Sequence, residues 1–301
     1  MKIFITGVTG FLGFHIANLC ISKGFELLCL KRSASISLFD SVIEDKINWV
    51  ESDKEGWEES VIKFSPDILI HCAWGGVSAD SRNNPNIQHE NIKLSEKLFN
   101  LCPYKQIIVL GSQEEYGRID SVVDESHPLA PLTEYGKAKI ETCKILKEYC
   151  EMKKIDWQWI RVFTVYGEKQ KEAWLIPAMI KKCLDPQERE METTKGEQIY
   201  SYLYSADFAN AIVSMIGSKG KIGIYNLSSS TPTMLKDLFS VIKQKTNSKI
   251  VFKPVIPYRE YQSMMIMGDC TKFKAVFGEF EQTSLSEGLE NIIQTIKNIR
   301  E

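Results

Sequence analysis

Lys2-Ile3-Phe4-Ile5-Thr6-Gly7-Val8-Thr9-Gly10-Phe11-Leu12-Gly13 follows directly on Met1. Lys2–Thr6 is a short apolar run that reads as a strand. From Phe11 to Lys23 the apolar residues recur at helical spacing. Strand, glycine-rich turn and helix, in that order, are the setting a phosphate-binding loop requires. Gly7 permits the tight turn, Gly10 lets a pyrophosphate approach the backbone, and Gly13 allows close helix packing. The helix start offers free N–H groups. The spacing is G-x-x-G-x-x-G rather than G-x-G-x-x-G. A dinucleotide held by Gly7, Thr9, Gly10, Phe11, Leu12 and Gly13 is expected, against the alternative of an ordinary glycine turn.

Outward from this turn the chain alternates strand and helix patterns. That predicts an α/β protein with a Rossmann-type, doubly wound parallel sheet. The second strand, Glu26–Leu30, ends in Lys31-Arg32-Ser33. NAD-preferring sites usually carry an acid there for the ribose 2′-hydroxyl. Two cations and a serine suit a 2′-phosphate instead, so NADP is expected ahead of NAD; the alternative is a solvated basic turn. Asp53 follows the third strand (Ile47–Glu51) and either bonds the adenine amine or forms a turn. The fourth strand, Ile68–Cys72, runs into His71-Cys72-Ala73-Trp74-Gly75-Gly76. Small residues at a strand end let a cofactor pass close to backbone. Cys72, Ala73 and Trp74 are therefore cofactor candidates, with His71 read as a satisfied core histidine.

Gln106–Leu110 leads to Gly111-Ser112-Gln113-Glu114. Ser112 stands at a strand's carboxyl end, the side on which open α/β sheets bind ligands. Its hydroxyl is suited to polarising a carbonyl. A long helix from about Thr133 to Lys153 carries Tyr135 and Lys139, four apart and so on one face. A tyrosine titrates near ~10. A neighbouring ammonium favours the phenolate, and an oxidised nicotinamide adds a second positive charge. Tyr135 is thus expected to transfer protons near neutrality.

The net charge of −2 gives no electrostatic case for nucleic acid. No apolar run approaches the roughly 18 residues of a membrane span. The start of the chain lacks the longer apolar region of a signal peptide. Eight scattered cysteines without C-x-x-C predict free thiols in the cytoplasm. Four histidines without ligand spacing predict no metal.

Further motifs complete the pattern. His71-Cys72-Ala73 resembles an H-x-A-A element, and Ser112, Tyr135 and Lys139 a Ser/Thr-Tyr-Lys set. Arg161-Val162-Phe163-Thr164-Val165-Tyr166-Gly167 resembles R-x-x-N-V-Y-G, with Thr164 for Asn. Ser205-Ala206-Asp207 resembles V-x-D, and Tyr225-Asn226-Leu227-Ser228 resembles Y-N-I-G. In this order and spacing the chain resembles an extended short-chain dehydrogenase/reductase, more narrowly the NAD(P)-dependent epimerase/dehydratase family acting on nucleotide sugars. The resemblance implies that Tyr135 is the acid/base and Ser112 orients the reacting sugar oxygen. It implies that Lys139 binds the nicotinamide ribose and lowers the Tyr135 pKa. It also implies a homodimer through two long helices, Asn84–Leu101 and Thr133–Lys153. Residues 1–166, with 199–226 returning, would form the dinucleotide domain, and 167–301 mainly the nucleotide-sugar lobe. There a helix over Met234–Lys245 has Thr231 as a possible cap. Glu114, Thr164, Trp174, Tyr202, Tyr204 and Arg259 are candidate substrate contacts.

Three reactions share this equipment. Lys31 and Arg32 favour an NADPH-dependent reductase of a nucleotide-linked 4-keto deoxysugar, with Tyr135 as proton donor. The alternatives are an NAD-dependent 4-epimerase and a 4,6-dehydratase using Glu114, whose usual acid neighbour is replaced by Gln113. A non-catalytic dinucleotide sensor commonly lacks the Tyr or the Lys, and both are present here.

Overall fold

Ile3, Phe4 and Ile5 are fully buried, and they alternate between two cores. A strand buried on both faces belongs in the middle of a parallel sheet covered by helices, and that is where the computed structural model, which describes residues 1–300, has it. The first half runs β1 (Lys2–Thr6), α1 (Phe11–Ser22), β2 (Glu26–Lys31), α2 (Ser41–Glu44), β3 (Asn48–Glu51), α3 (Trp57–Phe64), β4 (Ile68–His71), α4 (Pro85–Leu101) and β5 (Gln106–Leu110). After a single 3-10 turn, Gln113–Glu115, come β6 (Val122–Val123), α5 (Glu134–Lys153) and β7 (Asp156–Val162).

The second half runs β8 (Val165–Tyr166), α6 (Leu175–Leu184), β9 (Glu190–Glu192), β10 (Ile199–Ser201), β11 (Leu203–Tyr204), α7 (Ser205–Ser214) and β12 (Gly223–Leu227). It closes with β13 (Pro232–Met234), α8 (Leu235–Lys245), β14 (Val251–Lys253), β15 (Met265–Gly268), α9 (Thr271–Phe277) and α10 (Leu285–Arg300).

Seven strands form the main sheet in the order β12-β7-β5-β4-β1-β2-β3, all parallel. The order reverses between β1 and β4, so a crevice opens at their carboxyl ends. One face packs on α1 and α7 through Ile16, Ala17, Phe208 and Ile212. The other packs on α3, α4 and α5 through Val61, Leu98, Phe99 and Leu146. A third core, with Tyr166, Met179, Leu238 and Leu289, holds the second lobe together.

From the second half, α7 packs on the first core and β12 forms an edge of the main sheet. β10 pairs β13 and β15 in a separate four-stranded sheet. Cys270, Phe273 and Phe280 join the first core. Thr231 does not cap a helix. Pro232–Met234 is extended against β10, and α8 begins only at Leu235. Among the described residues no helix is long and apolar enough to cross a membrane.

Candidate active site

The crevice begins at Gly7, whose φ is +76°. A Cβ there would lie 2.6 Å from Ala73 N, so glycine is what lets the ends of β1 and β4 meet. A Cβ on Gly13 would stand 2.2 Å from Gly7 O, which fixes α1 against the turn. Gly10 is the N-cap of α1 and offers no side-chain cap, and the first helical turn carries no acid. The first-turn N–H groups therefore face the crevice with neither a cap nor a repelling charge, a setting suited to a pyrophosphate. These features fit a dinucleotide, with Thr9, Phe11 and Leu12 on the same turn.

The floor beside this turn is tied down by a buried chain of bonds. Ser95 Oγ pairs with His71 Nε2 at 2.9 Å, His71 Nδ1 with Thr6 Oγ1 at 2.7 Å, and Ala73 N donates to Thr6 Oγ1 at 3.1 Å. Burial holds the His71 pKa down at about 3. His71 is the satisfied core histidine expected, and it positions Ala73.

Ser112, Tyr135 and Lys139 converge next to this floor. Ser112 caps the 3-10 turn after β5, and its hydroxyl accepts from Glu114 N and hydrogen-bonds the Tyr135 phenol. Thr133 Oγ1 accepts from Gly136 N and so starts α5 in the register that aims Tyr135 and Lys139 at β5. Lys139 Nζ donates to Leu110 O at 2.7 Å and lies 3.6 Å from the centre of the Trp74 ring. Trp74 Nε1 donates to Gln88 Oε1 at 2.8 Å, and the Trp74 edge meets the Tyr135 ring.

The electrostatics differ from the sequence expectation. Tyr135 is pushed up to about 12, chiefly by burial, against the opposing bond from Ser112. Burial draws Lys139 down to about 7, with the Glu115 charge opposing. In the protein alone burial of the Tyr135 phenol outweighs the neighbouring ammonium, which is turned to Leu110 O and the Trp74 face. Helical spacing reveals a shared face but says nothing about how far the face is removed from water.

Beneath Ser112 is a buried ion pair that went unassigned in the sequence. Glu115 is fully buried and accepts from Ser112 N (2.8 Å), Trp159 Nε1 (2.9 Å) and Arg161 Nε (2.8 Å). Arg161 Nη1 also donates to Tyr116 Oη at 3.0 Å, and Tyr116 Oη donates to Asn226 Oδ1 at 2.6 Å. The one available signal was a charge inside the apolar strand Trp157–Val162.

Other candidates fall elsewhere. Glu114 lies beside Tyr135, ion-paired with Arg82 at 3.0 Å. Thr164 is half-buried just past the end of β7, and its carbonyl accepts from Leu203 N. Tyr202 and Tyr204 are packed in the third core, and Tyr204 bonds Glu168 and Asn291. The second lobe had to bury its own aromatic rings, which the alternation of Ile199–Tyr204 does not distinguish from a lined pocket. Trp174 and Arg259 are exposed. At the adenosine end, Lys31 Nζ sits 4.9 Å from the Trp49 ring centre. Ser33 N and Ser33 Oγ both donate to Asp53, at 2.9 and 2.5 Å. Arg32 is exposed. Among the described residues no cluster of His, Cys, Asp or Glu could hold a metal ion.

A doubly wound sheet with a glycine-turn crevice and a Ser-Tyr-Lys cluster at its carboxyl edge defines an extended short-chain dehydrogenase/reductase. The chain belongs to the NAD dependent epimerase/dehydratase family, whose profile matches residues 3–228. It is 26% identical to a putative UDP-glucose 4-epimerase of Methanocaldococcus jannaschii over 98% of both chains. It is 25% identical to CDP-abequose synthase of Salmonella muenchen over 82% of this chain and 81% of that one. The fold matches the UDP-glucose 4-epimerase of Thermus thermophilus in complex with NAD, with a TM-score of 0.85, 20% identity and 99% of each chain covered. The protein is thus an enzyme of the NAD dependent epimerase/dehydratase family, with oxidoreductase-type chemistry.

Proposed function

We propose that this enzyme is an NAD-dependent 4-epimerase of a nucleotide sugar. The observation that carries the reading is the convergence of Ser112, Tyr135 and Lys139 beside the glycine-turn crevice. A sugar C4 hydroxyl seated there bonds Ser112 and Tyr135. Tyr135 takes the hydroxyl proton as C4 is oxidised and returns it when the ketone is reduced on its other face. When bound, the nicotinamide supplies the acceptor and donor of the C4 hydride. Lys139, held by Leu110 O, presents its remaining donors to the ribose and adds positive charge next to the phenol. Trp74 excludes water from the ammonium.

The choice of NAD rests on the adenosine end. Both Ser33 donors are taken by Asp53, and Lys31 is parked on Trp49. A 2′-phosphate would meet the Asp53 carboxylate, and an unphosphorylated ribose would not suffer from it. The second reading is the NADPH-dependent 4-keto sugar reductase. It keeps the support of exposed Arg32 and of the likeness to CDP-abequose synthase. A dehydratase fits less well, because Arg82 already engages the Glu114 carboxylate and Gln113 replaces the usual acid.

We also infer a homodimer across α4 and α5, which lie side by side in each subunit, as the resemblance implies. Light scattering at twice 34.4 kDa supports it, and a mass of 34.4 kDa overturns it. Eight unpaired cysteines support a cytoplasmic location.

The test is the cofactor. The purified protein is denatured to release any bound nucleotide, and NADH and NADPH are then titrated by fluorescence. Retained NAD, or a preference for NADH, supports the epimerase. A clear NADPH preference with no retained nucleotide moves the assignment to the reductase.

A further inference from the structure

The connection after β4 and the turn after β5 meet over the start of α5. Arg82 O accepts from Tyr135 N at 2.9 Å, so the two residues are joined through the backbone. The Arg82 guanidinium turns the other way along the same loop, with Nη1 donating to Glu114 Oε1 at 3.0 Å and Nη2 to Val77 O at 2.9 Å. Glu114 Oε2 in turn accepts from Thr133 Oγ1, the cap of α5. Gly136, next to Tyr135, packs so closely on this turn that a Cβ would lie 2.6 Å from Glu114 O. The pair therefore ties three chain segments together around one phenol.

We propose that the Arg82–Glu114 ion pair is a positioning element that sets the proton affinity of Tyr135 from outside the Ser112–Tyr135–Lys139 set. The inference rests on the reading of Tyr135 as the proton-transfer group. The groups facing the phenol are Ser112, Glu114 and Glu115 from the turn after β5, Arg82 from the loop after β4, and Lys139 and Trp74 beside it. Of the two members of the pair, Arg82 favours the phenolate and Glu114 opposes it. The two act in opposite directions. Each alone is a signed charge beside a buried tyrosine, in a site where water screens little. The pair itself is about a third exposed, which limits the effect of either charge.

The test uses Arg82→Met, Glu114→Gln and the double variant, each also made with Tyr135→Phe. The phenolate absorbance difference between each variant and its Phe counterpart reads the Tyr135 midpoint, in the NAD-loaded enzyme. Removing the cation raises the midpoint and removing the anion lowers it, each by roughly half a pH unit or more. The double variant returns near the wild-type value. A merely structural latch predicts slower turnover without opposite-signed shifts, and shifts of one sign or none overturn the proposal. Arg82→Lys keeps the charge and restores the wild-type midpoint. If Arg82→Met fails to fold, that variant and Glu114→Gln still give the sign. Failure to bind NAD at all overturns the proposed function instead, and the free protein still reports the two signs.

Discussion

Replacing Glu115 should damage this protein more than any other single change near the site. Its carboxylate is fully buried, and the Arg161 side chain is only 3% exposed. Glu115→Ala leaves the guanidinium without its counter-charge and strands the Ser112 and Trp159 N–H donors. Breaking a buried ion pair from one side costs about 3–5 kcal/mol, and each orphaned donor adds about 1–3 kcal/mol where water cannot reach it. These terms overlap, so a loss of about 4 kcal/mol or more is expected. That is a large share of the roughly 5–15 kcal/mol a domain has in total. Urea unfolding followed by fluorescence measures it as a lower midpoint at unchanged slope. Glu115→Leu with Arg161→Met removes both charges, and buried pairs replaced by apolar residues are often near neutral. The double variant should therefore recover much of what the single one loses. A single-variant loss under about 1 kcal/mol, or a double variant worse than the sum of its parts, would refute this view of the buried pair.

Tyr135→Phe should lower turnover by about 10²–10⁴-fold while calorimetry finds NAD binding unchanged. Gly13→Ala must push Gly7 O aside from a 2.2 Å contact. It should cost about 1–3 kcal/mol of stability and weaken NAD binding, and unaltered binding would contradict the crevice as drawn. His71 has its folded pKa drawn down to about 3, below its ordinary 6.5. The unfolded chain thus binds the extra proton first. The stability His71 contributes is fully present above about 6.5 and is lost as pH falls toward about 3. Thermal melts from pH 7 to pH 4 should show this slope, and His71→Asn should flatten it. Asp53→Asn removes the charge facing a 2′-phosphate and should raise NADPH affinity relative to NADH by a few fold, on the order of 1 kcal/mol.

Much of this was legible in the chain. The Lys2–Gly13 stretch dictated the strand, turn and helix because its glycines sit where the backbone has no room for a Cβ. The segments Asn84–Leu101 and Thr133–Lys153 read as helices, and in the structure Asn84 and Thr133 cap α4 and α5. What was not legible depended on burial and on partners distant in sequence. The effect of Lys139 on Tyr135 turned on Trp74, more than sixty residues upstream. Ser33 looked like a free phosphate ligand until Asp53, twenty residues on, claimed both its donors. Glu115 gave no signal in the sequence, because its Arg161 partner lies 46 residues away. Tyr202 and Tyr204 looked like pocket walls because an aromatic strand has the same pattern whether it faces a ligand or α10.

The most direct measurement follows C4 of a nucleotide sugar by proton NMR. The enzyme is incubated with NAD and UDP-glucose, and in parallel with UDP-N-acetylglucosamine. The account predicts growth of the C4 epimer from at least one of them, with no net consumption of NAD and no growth in Tyr135→Phe. No epimer from any nucleotide sugar, together with NADPH oxidation on a 4-keto nucleotide sugar, would contradict it and establish the reductase.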